Sequence, residues 1–278
     1  MRAIILISTF FLSFLSAFAG IKKEKDLAYA DAGQANLLDV YHADDVERPK
    51  DVIVFIHGGS WNRGSKDTYW FLGNNFARKN KVAVIINYPL SPTAQYKEMA
   101  LACAKALAWV KVNIGKYGGN PDKIFLMGHS AGAHLAALIN QDPQYFAAIN
   151  VENPIKGVIL NDPFGLNIHH YIKVQINTTD TYVPGFLKVF SADEKNWIDA
   201  SPIFTVNNIT NPYQLFMGGK TYPSIKIQTP AFYQALKENR KEVYFQRINN
   251  KKHVAMISHM VFGWNNLYDQ IIGFMNRY

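Results

Sequence analysis

Two short glycine-bearing segments carry residues that can do covalent chemistry. Gly128-His129-Ser130-Ala131-Gly132 sets a serine between glycines, after one apolar run and before an Ala/Leu-rich one. A serine hydroxyl can act as a nucleophile when it stands on a tight strand-to-helix turn, and small flanking residues let that turn close. The N–H of Ala131, opening the helix that follows, then faces the oxygen on which negative charge develops during acyl transfer. The second segment, His57-Gly58-Gly59-Ser60-Trp61, ends another apolar run. Its backbone N–H groups can approach a ligand oxygen closely. Gly58 and Gly59, with Ser60 as the alternative, are therefore candidates for the rest of an oxyanion hole. His57 is read as a brace for this loop rather than as a base.

Both segments need strands that end at the same edge of a sheet. Asp51–His57, Lys81–Asn87, Lys123–Gly128, Gly157–Asn161 and Tyr213–Gly218 are continuous apolar runs, the pattern of strands buried on both faces. A short strand over Asn36–Tyr41 precedes them and one over Glu242–Ile248 follows. Helical spacing is found at Tyr69–Asn80, Met99–Ile114, Ala131–Ile139, Thr229–Asn239 and Gly263–Arg277. This alternation predicts a three-layer α/β sandwich, with a mostly parallel central sheet, helices on both faces and the site beyond the carboxyl ends of the strands. Lys22–Asp31 reads as a polar surface lead-in. Residues 164–201 have poor periodicity and read as a lid or substrate-binding insertion in a single domain spanning 20–278. Trp61, Tyr69, Trp70, Phe164 and Tyr182 either line an aromatic-accepting pocket or pack as core.

Composition narrows the classes of function. Of the 278 residues, 49% are hydrophobic and 18% charged, enough apolar material for a large core. The formal charge of +8 is spread along the chain without a nucleic-acid motif, so no nucleic-acid partner is expected. Cys103 is the single cysteine and lies in an Ala/Leu-rich helical run, the setting of a small buried hydrophobe. No His/Cys spacing suits a metal and no glycine loop suits a phosphate, so neither metal nor other cofactor is expected. At the start of the chain, Arg2, the apolar stretch Ile4–Phe18 and Ala17-Phe18-Ala19 form a signal-peptide pattern over residues 1–19, with cleavage after Ala19. The expected location is secreted or periplasmic, with no integral membrane span after cleavage.

His57-Gly58-Gly59-Ser60-Trp61, followed by Asn120-Pro-Asp-Lys-Ile-Phe-Leu-Met-Gly-His-Ser-Ala-Gly-Ala-His134, resembles the esterase/lipase branch of the α/β-hydrolase superfamily. It is similar in particular to feruloyl-esterase-like and kynurenine-formamidase-like carboxylesterases. The likeness is dense over residues 51–140 and again over 197–260. It implies a serine carboxylesterase with Ser130 as nucleophile, acting on small-molecule esters with small or aryl acyl groups through an acyl-enzyme. An amidase or formamidase using the same residues is the alternative within that chemistry.

The resemblance also implies a histidine base after the last strand. Of eight histidines, His253 stands there, beyond a short polar loop. His259 is the near rival, but by spacing it falls inside the next helix. The family's acid would follow the strand Tyr213–Gly218 by a few residues. That region reads Met217-Gly-Gly-Lys-Thr-Tyr-Pro-Ser, which puts Thr221 or Tyr222 in its place. Neither side chain can hold an imidazolium as a carboxylate does. Asp162, ending the neighbouring strand just before Pro163, is the replacement; an Asp before Pro also suits a plain turn. Asp199, in Trp197-Ile-Asp-Ala-Ser-Pro, reads as structural. If no acid reaches His253, a non-catalytic binding protein of the hydrolase fold is the remaining reading.

Overall fold

The computed structural model describes residues 20–31, 33–44, 48–175 and 183–278. The leader pattern at 1–19 and Tyr182 lie outside the described residues. Eight strands form one sheet: β1 (Ile21–Ala28), β2 (Leu37–Ala43), β3 (Lys50–Ile56), β4 (Val82–Ile86), β5 (Gly119–His129), β6 (Ile155–Asn161), β7 (Tyr213–Gly218) and β8 (Val243–Ile248). Their spatial order is β1-β2-β4-β3-β5-β6-β7-β8. β1 pairs antiparallel with β2, and β2 with β4. The remaining pairings are parallel.

The continuous apolar runs follow from burial on both faces. Along β3, Val52, Val54 and Ile56 join one core cluster while Ile53 and Phe55 join the other. The helices are α1 (Trp70–Arg78), α2 (Tyr96–Asn113), α3 (Ala131–Gln141), α4 (Gln144–Ala147), α5 (Ile168–His170), α6 (Val183–Phe190), α7 (Glu194–Asp199), α8 (Pro223–Glu238), α9 (Ala255–Ser258) and α10 (Asn266–Met275). Leu107 of α2, Leu135 of α3 and Phe232 of α8 pack in the first cluster. Leu72 and Phe76 of α1, with Leu267 and Ile271 of α10, pack in the second. The result is the expected three-layer sandwich. Among the described residues no helix is long and apolar enough to cross a membrane.

Three local expectations need correction. Lys22–Asp31 is not a loose lead-in, since most of it is the edge strand β1. Its lysines hide the two-residue period, and charged side chains with a bulge between Glu24 and Leu27 are how sheet edges avoid further pairing. β1 is pinned by the buried Lys66, whose ammonium lies 2.6 Å from Asp26 and 2.8 Å from the fully buried Asp39. α8 starts at Pro223, six residues before the expected Thr229, because proline suits the first turn of a helix, where its missing N–H costs nothing. The stretch 164–201 is not wholly irregular. It contains α5, α6 and α7, each too short for a periodic signal.

Parallel register brings the carboxyl ends of five strands to one edge. Ile56 pairs with Gly128, His129 with Asn161, Asn161 with Phe216, and Gly218 with Ile248. The residues that follow these ends are Gly58, Ser130, Asp162, Thr221 and His253.

Candidate active site

Ser130 occupies the turn between β5 and α3 at φ 55° and ψ −121°. Such a conformation costs a non-glycine residue about 1–3 kcal/mol. Its surroundings hold it there. The Ser130 N–H donates to Asn161 O at 3.3 Å, and the Ser130 carbonyl accepts from the N–H groups of Ala133 at 3.0 Å and His134 at 3.1 Å. The turn closes only because residue 132 lacks a side chain: a Cβ on Gly132 would stand 2.2 Å from Ile56 O and 2.5 Å from His57 O. The N–H of Ala131 opens α3 and so has no acceptor within the helix.

The loop after β3 lies against the serine. A Cβ built on Gly58 would stand 3.1 Å from Ser130 Cβ and 2.9 Å from His129 O. Gly59, Ser60 and Trp61 all have positive φ, at 131°, 52° and 59°. Ser60 and Trp61 pay strain there, and the anchoring of Trp61 offsets it. Its indole is buried, donates Nε1–H to His134 Nδ1 at 3.2 Å and packs edge-on to Phe164, Phe186 and Phe190. His134 Nε2–H in turn donates to Ala200 O at 2.7 Å, which ties the loop to the segment after α7. His57 acts as the brace expected of it. Its ring stacks on Tyr88 at 4.5 Å, Nδ1–H donates to Gly58 O at 2.8 Å, and the Tyr88 hydroxyl donates to His57 O at 3.0 Å. Burial lowers the pKa of His57 to about 4 and that of His134 to about 4, so both are neutral at physiological pH.

Three side chains from three loops then meet. His253 Nε2 lies 2.9 Å from Ser130 Oγ, and His253 Nδ1 lies 2.7 Å from Asp162 Oδ2. Asp162 is fully buried and has a positive φ of 51°. Its Oδ1 accepts the Gly218 N–H at 2.7 Å, and its Oδ2 also accepts a short hydrogen bond from the Thr221 hydroxyl. The His253 ring has His129 4.8 Å away, nearly parallel at 29°, and Tyr222 also 4.8 Å away, at 44°. His129 Nε2–H donates to His253 O at 3.2 Å. Burial, followed by the neighbouring His253, holds His129 down to about pKa 3. A neutral, buried ring therefore packs on the His253 imidazole.

Sequence reasoning placed Ser130, His253, Asp162 and the loop Gly58–Ser60, and the fold brings them together. It missed four contributors: the Gly218 N–H, the Thr221 hydroxyl, and the rings of His129 and Tyr222. The only available signal was that Thr221 and Tyr222 follow the end of a strand. The remaining candidates fall elsewhere. His259 pairs with Lys251 at 2.6 Å and His169 with Glu194 at 2.8 Å, while Asp199 faces Lys97 at 3.8 Å. Cys103 is fully buried, and burial pushes its thiol pKa up, away from thiolate chemistry. Of the aromatics, Trp61 is core and Trp70 is half exposed. Among the described residues no group of three or more His, Cys, Asp or Glu is placed to hold a metal.

Comparison with known proteins agrees with this architecture. LipM of Mycobacterium tuberculosis, named a probable carboxylic ester hydrolase, is 27% identical over 219 residues, covering 74% of this chain and 50% of LipM. Esterase LipQ of the same organism is 37% identical over 116 residues, or 41% of this chain and 28% of LipQ. The chain thus spans half or less of the length of these relatives. Esterase B from Lactobacillus Rhamnosis superposes with a TM-score of 0.77 at 17% identity, covering 92% of this chain and 84% of that one, a likeness of fold. The BD-FAE family model matches residues 38–235, a span that runs from β2 through the glycine loop, the serine turn and Asp162 into α8. With most of its length matched by that model, the chain belongs to the BD-FAE family.

Proposed function

We propose that this protein is an exported serine hydrolase that cleaves carboxylic esters of small or aryl acyl groups through an acyl-enzyme intermediate. The observation that carries the reading is the contact chain from Ser130 Oγ through both nitrogens of His253 to Asp162. A carboxylate at Nδ1 fixes the tautomer that leaves Nε2 free to accept a proton. His253 takes the proton of Ser130 as its oxygen attacks the ester carbonyl. The oxyanion forms against the N–H groups of Ala131 and of Gly58 or Gly59, with Ser60 the alternative donor. The alcohol leaves with the proton from His253, and water then attacks the acyl-serine by the same proton route.

The esterase names among the relatives support the reaction class. The leader pattern over residues 1–19 supports export. The case for a binding protein without catalysis rested on the missing carboxylate near Thr221, and the contact of Asp162 with His253 removes its motive. Turnover of short p-nitrophenyl esters should be compared with that of N-formyl-kynurenine and of acyl anilides. The esters should be cleaved with much the highest kcat/KM. Faster cleavage of the amide or formamide bond, or no turnover of any of them, would overturn the assignment.

A further inference from the structure

Asp162 Oδ2 accepts two hydrogen bonds, one from His253 Nδ1 at 2.7 Å and one from the Thr221 hydroxyl. Two donors on one oxygen make the Thr221 side chain and the imidazole near neighbours. The turn that carries Thr221 is also strapped to the loop that carries His253. The Gly219 N–H donates to Ile248 O at 2.8 Å, and the Lys220 N–H donates to Lys251 O at 2.8 Å. The fit is tight, since a Cβ on Gly218 would stand 2.7 Å from Lys251 O. Residues 218–221 and 248–253 therefore form one braced unit, and Asp162 reaches into it from β6.

The geometry points to Thr221 as the positioning residue of Asp162, the carboxylate that meets His253. The inference rests on the proposed triad. The Thr221 hydroxyl and the Gly218 N–H hold the two carboxylate oxygens from the β7–α8 turn, so the rotation of the carboxylate is set before the imidazole arrives. A hydrogen bond to a buried charged group is worth enough to matter at this point.

Three variants test this by kcat and KM, with thermal melting as the check on folding. Asp162→Ser should lower kcat by a factor on the order of 10⁴, the scale for loss of a triad acid. Thr221→Val should lower kcat roughly 10-fold at unchanged KM, and Thr221→Ser, which keeps the hydroxyl, should restore it. Thr221→Val with native kcat, or a loss that Thr221→Ser does not restore, overturns the positioning role. An Asp162→Ser enzyme of native activity would instead sink the triad reading itself.

Discussion

Around Ser130 the backbone sets the geometry. A positive φ at residue 130, an absent Cβ at residues 58 and 132, and main-chain hydrogen bonds fix where the hydroxyl and the amides stand. Around His253 side chains set it. The ring is aligned by Asp162, which is aligned by Thr221 and Gly218, and it packs against His129 and Tyr222. A site half built from backbone tolerates no added atoms but demands little of side-chain identity. A half built from side chains can move a functional group from one strand end to another, provided some donor fills the vacated place. Here a threonine stands where the family's acid is expected, and the carboxylate that meets His253 enters from the end of β6.

The largest expected effect that would break this contrast is at Gly132. A methyl group there meets carbonyl oxygens of β3, which cannot swing away as a flexible side chain could. Gly132→Ala should destabilise the fold by about 3 kcal/mol and lower the melting midpoint by roughly 10 °C, with loss of activity. A variant with native melting and native rate would show that the turn does not need the close approach. Gly58→Ala is milder. Its methyl would stand 2.9 Å from His129 O and 3.1 Å from Ser130 Cβ, inside van der Waals contact, so the loop must shift, which displaces an amide proposed to face the oxyanion. The fold should survive, and kcat should fall on the order of 10² with KM little changed. A rise in KM with kcat unchanged would place the loop in binding rather than in catalysis.

A separate effect, on stability rather than rate, concerns pH. His57, His129 and His134 are held neutral by burial, with pKa values lowered from 6.5 to about 4, about 3 and about 4. Below pH 6.5 the unfolded chain takes up protons at these positions, and the folded protein does not until about pH 4. Stability is therefore fully present above pH 6.5 and is lost as pH falls through this window, by at most about 1.4 kcal/mol per pH unit for each histidine. Melting midpoints should hold steady from pH 8 to 7 and decline from pH 6.5 toward 4.5. A flat profile over the lower range would mean that these rings are not locked in neutral form, and the brace on the serine half would lose its basis.

The same division explains what was legible in the sequence. The serine turn and the glycine loop could be read because backbone constraints leave glycine in fixed places. The inner strands could be read because burial on both faces makes their runs continuous. β1 could not, since an edge strand rich in lysine carries no such run. The extent of α8 was hidden by Pro223 and Pro230, which read as breaks although the helix opens on the first and passes through the second. Asp162 could be proposed, but its tie to His253 depends on the register of β6 beside β5 and β7, which no local pattern encodes. Thr221 could be seen only as a residue that is not an acid. That its hydroxyl donates to Asp162 is a fact of three dimensions.

Activation of Ser130 by His253 and Asp162 is open to labelling with a fluorophosphonate, followed by peptide mass mapping. A single adduct should form on the peptide containing Ser130, quickly in the native protein and much more slowly in His253→Ala. An unmodified Ser130 across the neutral pH range, an adduct on another residue, or labelling indifferent to His253 would contradict it.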